Sequence, residues 1–170
     1  MKKIFYSAMA LTLGFVLSST TCQGPDPTPD PNFSITSPHS FIKVDFLSCK
    51  AQGNDVVLEF TLTNNGSTNL SYFRIWGSGT YGSIHGQGEA FDTNGKAYGF
   101  SIAFGGGTLG YIQGFDDSPL SIGVPVKAVV TIYNVGVDVG KFSIVKLETR
   151  YGSIPYTTSA ITFRNMNIAR

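Results

Sequence analysis

Apolar residues follow two regimes along this chain. From Ile4 to Leu17 they dominate a stretch that carries no charge. From about residue 41 they alternate with polar residues instead. Val56, Leu58, Phe60 and Leu62 are apolar while Glu59, Thr61 and Thr63 are polar, the period of a strand with one face on a core. The same step of two recurs in Ile42, Val44 and Phe46, in Tyr98, Phe100 and Ile102, in Val126, Ala128, Val130 and Ile132, and in Ile161 and Phe163. Turn formers separate these runs: Gly53-Asn54, Asn64-Asn65-Gly66, Asn94-Gly95, Ser118-Pro119 and Gly140. Asn94-Gly95 between Phe91 and Tyr98 predicts a hairpin with a type I′ turn.

The spacing predicts strands near 41–49, 55–63, 69–76, 81–91, 96–104, 124–134, 141–150 and 158–168, and no window beyond residue 22 carries a helical stripe. Short strands separated by turns predict an all-β fold, a two-sheet antiparallel Ig-like β-sandwich. Residues 41–170 then form one domain, of a size that buries roughly two thirds of its unfolded surface. Gly105 to Asp117, opening on three glycines, reads as a long loop.

The first regime reads as an export signal. Lys2 and Lys3 precede the apolar stretch, whose 14 residues reach only roughly 21 Å as a helix against the ~30 Å needed to cross a bilayer. Ser18, Ser19, Thr20 and Thr21 follow, and then Cys22. Residues 1–21 are thus a signal peptide, and 22–40 a linker whose segment Gln23 to Asn32 reads QGPDPTPDPN. Alternating prolines favour an extended polyproline II chain, about ten residues of which span roughly 30 Å.

The tract Leu17, Ser19, Thr20, Thr21, Cys22 resembles the lipobox of bacterial lipoproteins in a relaxed, Bacteroidetes-type form, with Thr21 where a glycine, alanine or serine is usual. The resemblance implies lipidation (palmitate among the acyl groups) of the Cys22 thiol and a lipid-anchored cell-envelope protein. The outer membrane is favoured, with the domain periplasmic or surface-exposed. Several acyl chains at ~0.8 kcal/mol per buried methylene would hold it stably. The alternative is an ordinary secretory signal with Cys22 incidental to cleavage.

Further on, Thr61 to Gly66, then Asp92, Asn94, Gly95, Lys96 and Tyr98, then Leu120 and Gly123, and last Ile161 and Phe163, resemble the strand ends, hairpin and closing strand of Ig-like domains in uncharacterised bacterial lipoproteins. Ile122 stands where those domains usually place a proline. The resemblance spans most of residues 41–168 and implies an extracytoplasmic protein-interaction or structural module. It transfers no catalytic residue.

Charge narrows the partners. The chain is +1 overall and about −1 once Lys2 and Lys3 are removed, with no basic cluster, so neither nucleic acid nor an anionic membrane surface is an expected partner. With Cys22 lipidated, Cys49 has no disulfide partner; it reads as a small apolar filler, the alternative being a reactive thiol.

Candidate chemistry is sparse. His39 and His85 lack companions at metal-ligand spacing, and no metal or other cofactor is expected. Gly77-Ser78-Gly79 is too short for a nucleophile elbow. Asp116-Asp117 is the one adjacent acidic pair; a calcium site or glycosidase pair is the sharper reading and a solvated loop the plainer one. The expectation is therefore no enzyme. Aromatic residues, at 13%, exceed what the alternating core positions absorb, and Trp76, Tyr81, Tyr111 and Phe115 lie among glycines and polar residues. They are the candidate ligand contacts, for a glycan-binding module at the surface as the second functional reading. Trp76 has a competing role as the buried aromatic of a sandwich.

Overall fold

A computed structural model of the protein describes residues 30–78, 80–81, 84–85, 88–106, 115–152 and 157–170, with the backbone alone at 80–81, 84–85 and 115–116. Cys22, most of the proline-rich linker, the signal segment and Tyr111 lie outside them.

The described residues form twelve strands and no helix: β1 (Ser34–Thr36), β2 (Ile42–Gln52), β3 (Asp55–Asn64), β4 (Leu70–Trp76), β5 (Thr80–Tyr81), β6 (Ile84–His85), β7 (Glu89–Asp92), β8 (Phe100–Phe104), β9 (Phe115–Leu120), β10 (Pro125–Ile132), β11 (Lys141–Tyr151) and β12 (Thr157–Asn167). One sheet runs β1-β12-β11-β4-β9, with β7 also on β11; the other runs β2-β3-β10-β8; β5 and β6 pair as a separate hairpin. Pairing between the strands of each sheet is antiparallel throughout. The two-sheet sandwich expected from the alternation is the fold.

The alternating residues supply its core. Val56, Leu58, Phe60 and Leu62 of β3 are fully buried, and beside them Ala128, Val130 and Ile132 of β10. They face Phe163 and Ile161 of β12 and Phe142, Val145 and Leu147 of β11. The rings of Phe60 and Phe163 meet across the sandwich at 5.2 Å, and those of Phe73 and Phe104 at 6.0 Å. Each such side chain contributes about 1.5–3 kcal/mol by leaving water.

One core position works against this. Thr149 faces inward on β11, 1% exposed, and its hydroxyl has no hydrogen-bond partner among the described residues. A buried hydroxyl without a partner is costly, and valine has the same shape without it. Thr149→Val is therefore expected to raise the unfolding free energy by roughly 1 kcal/mol in urea denaturation. A loss of stability would show that the hydroxyl is satisfied after all.

Sheet edges are closed with local devices. On β2 a bulge between Phe46 and Ser48 turns out Leu47, which is half exposed. Beyond the bulge the C-terminal residues cross over from β12: Ala51 donates its N–H to Ala169 (2.8 Å), and Ala169 donates back to Cys49 (2.9 Å). At the other end Ile42 donates to the carbonyl of His39 and accepts from the Ser37 hydroxyl. Lys43 and Asp45 place a 2.9 Å ion pair on the stretch between. A bulge, a charged pair and covered ends are what keeps an edge strand from pairing with another chain.

Four elements depart from the sequence expectation. β1 falls inside the stretch read as linker, and pairs Ser34 to Thr36 with Arg164 to Thr162. The strand expected over 81–91 is divided: β7 keeps only its last part, and β5 and β6 form their own hairpin. β9 occupies the end of the expected glycine-rich loop, and carries Ser118-Pro119, read as a turn, on the sheet's outer edge, where a proline's missing N–H costs no ladder bond. The hairpin at Asn94-Gly95 forms, but not with a type I′ turn. Gly95 donates to the carbonyl of Asp92 at 3.2 Å, Gly95 has φ +78°, and Asn94 is not at positive φ. A type I′ turn needs positive φ at both central residues; this is a turn of the type I pattern followed by a left-handed glycine.

Candidate functional site

Of the candidate aromatic positions, the first sheet brings two together, Trp76 of β4 and Phe115 of β9 as register partners. β11 pairs along one side with β12 over its whole length. Its other side is shared, β4 taking Thr149 to Tyr151 and β7 taking Phe142 to Lys146. Between β4 and β7 lie residues 77–88, of which 80–81 and 84–85 form the separate β5–β6 pair. The described residues near the two ends of this segment, Ser78 and Gly88, both meet Phe100 at the start of β8. The Phe100 N–H donates to the Ser78 hydroxyl oxygen at 2.5 Å, and Ser78 donates its own N–H to the Phe100 carbonyl at 3.2 Å. At the far end a Cβ on Gly88 would lie 2.3 Å from the Phe100 ring, so only glycine fits there.

Trp76 is the last residue of β4. In β4, Phe73 and Ile75 point into the core, so alternation places Tyr72, Arg74 and Trp76 on the outer face. Trp76 is nevertheless only 6% exposed and is not part of the core between the sheets. The guanidinium groups of Arg74 and Arg150 lie 5.5 and 5.7 Å from its ring centroid, and Arg74 is also 5.0 Å from the Tyr72 ring. Arg74 and Arg150 are cross-strand partners, and Asp117, opposite Arg74 on β9, binds it at 2.7 Å. Two like charges face to face are unfavourable in a sheet; the indole face and the carboxylate offset that repulsion. An indole covered in this way offers no open face to a sugar ring.

Of the other candidate aromatics, Phe115 is the register partner of Trp76 and Tyr81 lies on the β5–β6 hairpin. Tyr111 falls outside the described residues. Asp116 and Asp117 pair with Ile75 and Arg74. His85 lies on β6, while His39 packs with Phe41 and Tyr151 at 4.7 and 5.2 Å, a ring cluster the sequence reading missed. No group of three or more His, Cys, Asp or Glu residues is placed to hold a metal among the described residues.

Cys49 lines a pocket of about 310 Å³ with Phe33, Phe46, Leu47 and Met166, where the chain enters the domain. The thiol is 4% exposed, and burial pushes it up to about 12 from an ordinary 9.0, the setting of an inert filler.

The Ala90–Tyr98 hairpin is closed by a buried carboxylate. Asp92, 3% exposed, accepts from the N–H groups of Asn94 (2.8 Å) and Lys96 (2.9 Å) and from the Tyr98 hydroxyl (3.0 Å). Burial alone would raise its titration, but these bonds outweigh it and hold the carboxyl below its ordinary value. Tyr98 is pushed the other way, up to about 12, first by burial and then by the Asp92 bond.

For Cys49 and Tyr98 the folded chain therefore holds the proton longer than the unfolded chain does. Their contributions to stability are complete below pH 9.0 and 10.0, the ordinary values, and are lost as pH rises toward about 12. The urea midpoint is expected to fall steadily above pH 9.0, and Cys49→Ala to flatten the first part of that fall. An unchanged slope in Cys49→Ala would remove the thiol from the account.

No protein-family model and no curated protein matches the chain. Solved structures resemble it only distantly, three of them as follows. The N-terminal domain of PorA is 14% identical, covering 73% of this chain and 84% of that one at a TM-score of 0.38. MyfA, the major subunit of Myf fimbriae from Yersinia enterocolitica, is 12% identical, covering 74% of this chain and 98% of that one at 0.37. A family 123 glycoside hydrolase from Clostridium perfringens is 8% identical, covering 76% of this chain but 28% of that one at 0.38. Likeness at this level carries no functional argument, and the fold rests on the chain's own two sheets.

Proposed function

We propose that the chain is an exported lipoprotein, held to a bacterial membrane by lipid on Cys22, whose sandwich acts as a protein-interaction or structural module of the cell envelope. The outer membrane is the favoured site. No catalytic role is assigned to it.

The observation that supports this best is how the chain enters the domain. Asp30, at the end of the proline-rich segment, pairs with Lys141 at 2.7 Å and accepts the Asn32 N–H at 2.7 Å. The Lys141 bond, first among several causes, holds the Asp30 carboxyl below its ordinary value. Asn165 donates its side-chain amide to the carbonyl of Asn32 at 3.1 Å, and β1 then adds to β12. The last residues before the domain are thus built into a sheet at several points, so tension along an anchored linker would be borne by strand pairing. The loops around residues 37–41, 65–69 and 121–124 gather at the other end of the strands, away from Lys141.

Growth with a labelled fatty acid tests the anchor. The wild-type chain should take up label and Cys22→Ala should not; label retained by Cys22→Ala, or absent from both, overturns it. Crosslinking in intact cells, followed by purification from envelope extracts, tests the module. Recovery of no stable partner would count against the interaction reading.

A further inference from the structure

The chain holds two Asn-Gly pairs, Asn65-Gly66 and Asn94-Gly95, and the fold treats them differently. We infer that Asn94 is a site of spontaneous deamidation and isoaspartate formation in the native protein, and that the fold protects Asn65.

In the reaction the backbone nitrogen of the following glycine attacks the asparagine Cγ. The new N–Cγ bond forms, the N–H proton passes to solvent, and the Cγ–Nδ2 bond breaks with release of ammonia. Water then opens the resulting succinimide at either carbonyl, giving aspartate or isoaspartate. The step needs an accessible side-chain amide, a glycine nitrogen not firmly held elsewhere, and room for the peptide to rotate.

Asn94 and Gly95 are both exposed, and a Cβ on Gly95 would meet nothing within 4 Å. The Gly95 N–H is committed only to the Asp92 carbonyl at 3.2 Å, the long end of the range for such bonds. At the other pair the Gly66 N–H donates to the Asn64 side-chain oxygen at 2.9 Å, and Asn64 is itself fully buried. The asparagine N–H is bonded at 2.8 Å at both sites, Asn65 to the Phe41 carbonyl and Asn94 to the Asp92 carboxylate, so the difference lies at the glycine. A Cβ on Gly66 would lie 3.0 Å from that same Asn64 oxygen and 3.3 Å from the Phe41 ring, so the peptide there has no room to turn.

Conversion at Asn94 has a local consequence. Asp92 depends on the N–H groups of Asn94 and Lys96, and isoaspartate puts an extra methylene into the main chain between them. The product also adds a negative charge two residues from the buried Asp92 carboxylate.

Incubation of the purified chain in mildly alkaline buffer, with peptide mass mapping over time, tests the inference. Native protein should convert at Asn94 at least about tenfold faster than at Asn65, a ratio within what one firm hydrogen bond can impose on a rate. In denaturing urea the two sites should convert at comparable rates, and Asn94→Gln should silence the native site. The isoaspartate fraction should melt below unconverted protein, and Asn94→Asp, which keeps the main-chain length, should lose less. Native conversion at Asn65 as fast as at Asn94, or none at Asn94 while the urea control converts, would overturn the inference.

Discussion

Phe60→Ala is expected to lower the unfolding free energy by about 3–5 kcal/mol, the cost of emptying a ring-sized site in a close-packed core. Phe60 is fully buried at the centre of β3, between Phe46 of β2 and Ala128 of β10 in the register, and it meets Phe163 of the opposite sheet at 5.2 Å. The lost contact therefore joins the sheets as well as the strands within one. Because a domain of this size is stable by only about 5–15 kcal/mol, the variant should be marginal at room temperature. Phe60→Leu, which keeps most of the volume, should cost less than half as much. The chain's single tryptophan, Trp76, is buried at the first sheet and provides the readout, since its emission should shift to the red as its cover is lost. A cost below about 2 kcal/mol would mean that the surrounding side chains collapse into the space.

The strands that the sequence reveals are those with one dry and one wet face. β3, β10 and β11 each bury alternate residues along most of their length, β12 does so at Ile161 and Phe163, and the period of two is plain in the letters. β1 is three residues long, Ser-Ile-Thr, too short to show any period. β9 reads Phe-Asp-Asp-Ser-Pro-Leu and looks like a loop because it is an edge, joined to the sheet by β4 alone. The stretch 81–91 shows strand residues, but Ser78 and Gly88 on either side of β5 and β6 meet Phe100, more than ten residues away in sequence, a contact the letters do not show.

The candidate site was legible in part. Glycine spacing and aromatic content mark residues 76–115 as unusual, yet the role of Trp76 turns on Arg74 and Arg150, and Arg150 is distant in sequence. One clue was present in β4 itself: Phe73 and Ile75 share a face, so Trp76 belongs with Arg74. The turn at Asn94-Gly95 departs from its sequence expectation for a similar reason. The dipeptide favours type I′, but the Asp92 carboxylate, bonded to the N–H groups on both sides, selects the longer turn.

Asn64→Ala is expected to cost about 2–4 kcal/mol, although from sequence Asn64 reads only as a residue that stops a strand. It is the last residue of β3 and is fully buried, on the core side of the alternation where Leu62 and Phe60 precede it. Its amide donates to the carbonyls of Thr68 (2.8 Å) and Leu120 (3.1 Å), while its side-chain oxygen accepts the Gly66 N–H. Its main-chain carbonyl accepts from Gly123 at 2.8 Å. One side chain thus ties together the end of β3, the loop into β4 and the turn from β9 into β10. Alanine leaves the buried Leu120 carbonyl without its donor and releases the 65–69 loop, which is why the cost exceeds that of one ordinary hydrogen bond. Asn64→Asp separates the two halves of the argument. Aspartate keeps the acceptor for Gly66 but turns two donors into a carboxylate facing two carbonyl oxygens. Its penalty should accordingly grow as pH rises through the titration of the buried acid, whereas that of Asn64→Ala should not vary with pH. Asn65→Ala, one residue on and exposed, should change stability by less than about 0.5 kcal/mol. Urea denaturation of the three variants across pH decides it: equal costs at positions 64 and 65 would mean that the corner is held by its backbone alone.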